Sequence, residues 1–188
     1  MAAWHALPTV SLRVTFPTYH DPQDAAGCGT QAGSRTMRKF MIAGAMAAAL
    51  AGPAAAGPLP EGGVTANEVA GVMRALKLAV EQTKDRQGDP LILSTTGGRK
   101  FGVYFYQCQG GRCASIQFSA GFEGAAGVPM VKIQDWNRTK RFGRAYADGG
   151  TLYVEMDMDV ERGATTEALA NNFERWVAVV EQFPKFFQ

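Results

Sequence analysis

The sequence predicts an α+β domain in which an antiparallel five-stranded sheet carries three helices on one face, in the order α-βββ-α-ββ-α. Two observations lead there. Stretches near residue 70 and at the C-terminus repeat apolar residues at spacings of three and four, the helical period. Between them, glycine-rich turns at Gln109-Gly110-Gly111-Arg112 and Asp148-Gly149-Gly150 join segments that alternate in polarity. Strands joined so tightly must run antiparallel, and helices then pack on one sheet face.

The domain occupies only part of the 188 residues. Met37-Arg38-Lys39 is a basic start, Phe40 to Leu50 an apolar run, Ala51-Gly52-Pro53 a break, and Ala54-Ala55-Ala56 a small-residue cleavage site. That order of features is the order of a signal peptide, 37–56, with Gly57 as the new N-terminus. The competing reading is an Ala-rich soluble helix. The apolar run falls short of the ~20 residues that span a bilayer, so no membrane span is expected in the processed form. Residues 1–36 precede the targeting segment and read as an extension that is not translated, with Met37 as the start.

Processing changes the chemistry that is left. His5, His20 and Cys28 lie in the removed part, as do four of the nineteen basic residues (Arg13, Arg35, Arg38, Lys39) and two of the seventeen acidic ones (Asp21, Asp24). Fifteen of each sign remain, so the formal +2 of the whole chain is a property of the leader. A neutral domain offers no basic footprint, and no nucleic-acid partner is expected. About 130 residues is one ordinary domain with a real core.

Gly57 to Val64, with Pro58 and Pro60, reads as a flexible or extended linker before a domain at 65–188. The first helix opens at Thr65, where Thr65 and Glu68 fit a capping box, and Val69, Val72, Met73, Leu76 and Val80 make its apolar stripe. Asp85 to Pro90 ends it. Leu91-Ile92-Leu93, Lys100 to Cys108 and Cys113 to Phe122 are the first three strands. Pro129 suits the first turn of a helix from Met130 to about Lys140, with Ile133 and Trp136 on one side. Phe142 to Ala147 and Thr151 to Val160 form the second hairpin. From Thr165 to Phe187, Leu169, Phe173, Trp176, Val177, Val180, Phe183 and Phe187 line one face of a long helix.

Four constellations bear on function. Placing Cys108 opposite Cys113 also pairs Phe105 with Ile116, Val103 with Phe118 and Phe101 with Ala120, all apolar, while Tyr104 meets Gln117 and Tyr106 meets Ser115 on the more polar side. Such a pair lies within disulfide range, and an exported domain with two cysteines favours the bond. A redox Cys-x-x-Cys or a zinc site is the alternative; four intervening residues and no histidine argue against both. In the strand Glu155 to Glu161, carboxylates alternate with Met156, Met158 and Val160; they either gather a cation such as calcium or form a solvated face, with Arg144 beside Glu155 and Tyr146 beside Tyr153.

The run from Trp136 to Tyr146 mixes Trp136, Arg138, Arg141 and Arg144. It reads either as a site for anionic or peptide ligands or as a structural corner whose aromatics fill the core. In the last helix the outer aromatics Phe183, Phe186 and Phe187 are either partly exposed, as a site for self-association or an extended client chain, or packed on the sheet. Without histidine there is no Ser-His or Cys-His pair, and no phosphate loop is present, so no enzyme, cofactor or metal is expected.

The chain resembles the YbjN domain family. The resemblance rests on Leu59 to Thr65, Val103 to Cys108, Cys113 to Phe122, Val154 to Asp157 and above all Trp136-Asn137-Arg138 through Arg141-Phe142-Gly143-Arg144-Ala145-Tyr146. It implies a bacterial sensory transduction regulator, similar in fold to type III secretion chaperones, which often dimerise. No catalytic residues come with it. The expected role is a non-enzymatic periplasmic or secreted module that binds a protein partner or a second copy of itself. A small-ligand or cation sensor using the acidic strand and the arginine corner is the alternative.

Overall fold

The computed structural model describes residues 57–124 and 127–188; the expected signal peptide and the extension before it lie outside them. Three helices and six strands follow in the order α1 (Ala66–Ala75), β1 (Glu81–Lys84), β2 (Pro90–Thr96), β3 (Arg99–Gln109), β4 (Arg112–Glu123), α2 (Met130–Thr139), β5 (Arg144–Asp148), β6 (Thr151–Asp159) and α3 (Thr166–Phe187). The strands form one antiparallel sheet in the order β1-β2-β3-β4-β6-β5.

The sheet therefore has six strands rather than the five expected. The stripe through Leu76 and Val80 suggests a longer first helix, but α1 stops at Ala75. Lys77 takes a left-handed conformation at φ +60, its N–H bonds to the Arg74 carbonyl at 2.9 Å, and the Leu78 N–H bonds to the Met73 carbonyl at 2.9 Å. These are the two bonds of a Schellman stop. Glycine usually marks that position, and lysine does not, so the sequence hides the break. The freed segment Glu81–Lys84 then pairs with Lys84↔Pro90 through Glu81↔Leu93 as an exposed edge strand. Its short, charged character is what an edge tolerates.

The central hairpin has the expected register. Val103↔Phe118, Phe105↔Ile116, Tyr104↔Gln117, Tyr106↔Ser115 and Cys108↔Cys113 are direct partners. Phe101, Val103, Phe105, Ile116 and Phe118 face the helices and are fully or almost fully buried. Phe118 meets Phe173 edge-on at 5.0 Å and Trp176 at 5.7 Å, and Phe101 meets Trp176 at 6.1 Å. Such pairs add to the area that each ring buries. On α3 it is Val179, not Val177, that joins Leu169, Phe173, Trp176, Val180 and Phe183 in the core. All three helices contribute to this single core.

Gly57 to Val64 is extended and tied down. Leu59 N–H bonds to the Ala164 carbonyl at 2.8 Å, Gly62 N–H to Glu161 at 2.9 Å, and Val64 exchanges bonds of 3.0 and 2.8 Å with Cys113. Gly63, at φ +94, lies so close that a Cβ there would stand 2.1 Å from the Cys113 carbonyl oxygen, so only glycine fits. This strap covers Cys113, which is fully buried although its parity belongs to the more polar side.

Arg112 fastens the strap to α1. Its guanidinium donates to Glu68 Oε1 at 3.2 Å and Oε2 at 3.1 Å, and to the Gly63 carbonyl. Glu68 also closes the predicted capping box, accepting from Thr65 N–H at 2.8 Å while its own N–H bonds to Thr65 Oγ1 at 3.2 Å. Burial pushes the Glu68 carboxyl up, but the Thr65 amide, Arg112 and the Thr65 hydroxyl outweigh it and hold the group below the usual glutamate range.

A pH dependence follows. Because the folded value is lower than the unfolded one, the unfolded chain binds more protons in that window. The contribution of Glu68 is complete above the ordinary glutamate value and is lost as pH falls through the folded one. Urea titrations should show stability falling over that acid range, and the fall should be smaller in Glu68→Gln. An identical acid profile in the variant would place the dependence elsewhere.

Candidate functional site at the arginine and aromatic corner

The corner between α2 and β5 is built on Trp136 and Asn137. Trp136 is 1% exposed, stands edge-on to Phe183 at 4.7 Å and Phe186 at 5.3 Å, and donates from Nε1 to the Gly143 carbonyl at 2.7 Å. Asn137 grips the sheet edge: Nδ2 donates to the Ala145 carbonyl at 3.0 Å, and Oδ1 accepts the Ala145 N–H at 2.7 Å. Its amide does for β5 what another strand would do, which closes that edge. Between them Gly143, at φ +83, passes so near the core that a Cβ would meet Val154 at 2.8 Å and Val179 at 2.9 Å.

The three arginines singled out in the sequence do not converge. Arg138 pairs with Asp135 one helical turn back, at 2.7 Å. Arg144 sits across β5 and β6 from Glu155, at 2.8 Å, and that bond holds the guanidinium above its ordinary value despite partial burial. Arg141 alone faces the corner. It is joined by two cations that the sequence reading passed over, Lys140 and Arg175, the latter on the exposed side of α3. Arg175 lies 5.2 Å and Arg141 5.8 Å from the centre of the Phe142 ring, and Lys140 lies 5.8 Å from that of Trp136. With Gln182 they line a cleft of about 160 Å³.

The outer aromatics of α3 divide. Phe183 is fully buried, which for this ring decides between the two alternatives in favour of packing, because Trp136 from α2 folds over it. Phe186 and Phe187 are half-buried and pack on each other at 5.2 Å. The large hydrophobics that do stand exposed are others: Met130 at 63%, Val131 at 58% and Phe142 at 39% among the described residues. The mixed polarity of α2 concealed them, since a ten-residue helix with two buried residues shows little of which side faces out.

On the opposite sheet face, Glu155 is 4% exposed and fully engaged. Besides Arg144 it accepts from the Tyr146 hydroxyl at 2.7 Å and, more weakly, from Ser119 Oγ at 3.4 Å. Burial and that bond to the Glu155 carboxylate both push the Tyr146 hydroxyl far up. Tyr146 and Tyr153 stack at 5.1 Å, as the register Tyr146↔Tyr153 demands. Asp157 accepts from Gln117 at 2.8 Å, and Asp159 accepts the Glu161 N–H at 2.9 Å. Among the described residues no three carboxylate, thiol or imidazole groups converge as a metal site requires. Cys108 and Cys113 are directly paired, with sulfurs 2.14 Å apart and Cα atoms 3.9 Å apart.

The family model described as YbjN, "Putative bacterial sensory transduction regulator", matches residues 65–188, from the α1 cap to the end of α3. The chain belongs to the YbjN family. No curated protein and no solved structure gives a significant match. The part of this YbjN chain that carried the resemblance most strongly, Trp136 to Tyr146, is the corner just described: a buried indole, an amide that closes β5 and a glycine that no larger residue can replace. Among the described residues no helix is long and apolar enough to cross a membrane.

Proposed function

We propose that this YbjN chain is a non-enzymatic regulator that binds a protein partner, exported by residues 37–56 and working in the periplasm or outside the cell. The observation that carries the reading is the grouping of exposed apolar side chains. Met130, Val131 and Phe142 all lie on α2 or on the corner after it, where α2 runs beside the end of α3. Lone exposed hydrophobics are ordinary, whereas Met130 and Val131 stand exposed side by side at the start of α2, with Phe142 just beyond its other end, which favours a protein-binding surface. The regulator description of the family supports the same role, and a fold like that of secretion chaperones, which we propose with it, would make a client chain or a second copy the natural partner.

The oxidised pair belongs to this reading. A Cys108–Cys113 disulfide suits an oxidising compartment, and its small loop contributes only about 1.5 kcal/mol by chain entropy. Expression of the chain with its own leader, followed by intact mass of the unreduced product, should give Gly57 to Gln188 less the two thiol hydrogens. Retention of residues 37–56 would overturn the export proposal. The Cys108→Ser, Cys113→Ser double variant should still fold.

The binding surface is tested separately. Met130→Ser with Val131→Ser should leave the circular dichroism unchanged, because both side chains are exposed, and should abolish either self-association or capture of whatever envelope protein the parent retains. Undiminished association in that variant would remove α2 as the surface.

A further inference from the structure

Lys140, Arg141 and Arg175 stand apart from the other cations of the corner. Arg138 and Arg144 each hold a carboxylate. Among the described residues these three hold none, although two of them share one aromatic ring and the third lies against the neighbouring indole. Cation–π attraction steadies each charge over its ring, but it does not cancel the repulsion between like charges gathered at one cleft. An anion placed there would relieve all three together.

The size and lining of the cleft narrow what the anion is attached to. About 160 Å³ is well below the ~300–1,000 Å³ of pockets that enclose a drug-sized ligand. It holds one side chain and leaves the rest of the ligand outside. Its walls include Phe142, Ala178 and Val179, which suit an apolar group, and Gln182, whose amide can both donate to and accept from a main chain. Phe142 stands at the mouth, 39% exposed. An apolar side chain in the cleft, with carboxylates beside it in reach of two guanidinium forks and an ammonium, satisfies every group present.

We infer that the corner is a recognition site for an acidic peptide segment, one apolar side chain entering the cleft while flanking carboxylates pair with Lys140, Arg141 and Arg175. This names the partner's chemistry within the protein-binding role proposed above and rests on that role. Charge complementarity of this kind sets specificity and salt dependence more than raw affinity.

The test uses fluorescence anisotropy of a labelled dodecapeptide of alternating glutamate and phenylalanine, its lysine and phenylalanine counterpart, and unlabelled phosphate and benzoate as competitors. The acidic peptide should bind, and binding should weaken as salt rises. It should fall by about tenfold or more in Arg141→Ala with Arg175→Ala. Both residues are exposed, so the variant keeps its fold. Arg138→Ala, whose guanidinium is committed to Asp135, should bind as the parent does. Equal binding of the basic peptide, or full binding by the double variant, would overturn the inference. So would displacement by phosphate or benzoate at the peptide's own concentration, which would make the cleft a small-anion site. Should the acidic peptide fail while the dependence on Met130 and Val131 holds, this inference falls and the wider protein-binding role stands.

Discussion

Trp136→Ala should lower the unfolding free energy by about 3–5 kcal/mol, the range for removing a large aromatic from a core, and the loss should be the largest of any single alanine substitution in α2. The indole touches Phe183, Phe186 and Phe187, so its removal leaves a cavity against α3 that a rigid ten-residue helix cannot collapse to fill. It also leaves the Gly143 carbonyl without its donor. The hydrogen bond can be separated from the packing by comparing two conservative changes. Trp136→Phe and Trp176→Phe remove similar volumes from fully buried sites, but Trp176 Nε1 has no hydrogen-bond partner among the described residues. Trp136→Phe should therefore cost more, by about 1–3 kcal/mol. Equal losses in urea titrations would mean that the Gly143 bond contributes nothing net.

How much of this corner could be read in the sequence depends on whether the deciding contacts are local. The hairpins were legible because parity and a glycine turn fix a register. Once Cys108 faces Cys113, Phe105 must face Ile116, and once the chain turns at Gly149-Gly150, Arg144 must face Glu155. The cap at Thr65 was legible for the same reason, being settled within three residues. Where α1 ends was not. Its stop depends on a lysine in a conformation that lysine seldom takes, held because the following strand pairs with β2.

Contacts between distant segments were hidden in proportion to their distance. The burial of Phe183 is decided by Trp136, 47 positions away in the chain, so the spacing of apolar residues on α3 alone cannot tell a core end from an exposed one. Arg175 reads as one more polar residue on the outer side of α3 until Phe142 is placed beside it. The glycine and proline content of residues 57–64 suggests a linker, yet the same glycines allow the strap to approach Cys113 closely enough to bond. Composition reports the freedom of a segment. It does not report what that freedom is used for.

Asn137 gives the second large effect, because one side chain satisfies two backbone groups on a nearly buried strand residue. Ala145 is 3% exposed, and its N–H and carbonyl both turn away from β6 toward the Asn137 amide. Asn137→Ala leaves both without partners, at about 1–3 kcal/mol each, so a total loss of roughly 2–5 kcal/mol is expected. The same change uncovers the β5 edge, and the variant should aggregate or associate beyond the parent's own state in sedimentation velocity. Asn137→Asp sharpens the test. Its carboxylate can accept from the Ala145 N–H but faces the Ala145 carbonyl with no proton to give, whereas the neutral acid can donate as the amide does. Folding then favours the protonated form and raises the folded value above the unfolded one. Relative to the parent, Asn137→Asp should therefore recover stability as pH falls through that raised value, opposite in sign to the Glu68 contribution. A stability difference between Asn137→Asp and the parent that stays constant with pH would show that the amide's donation to Ala145 does not hold the edge.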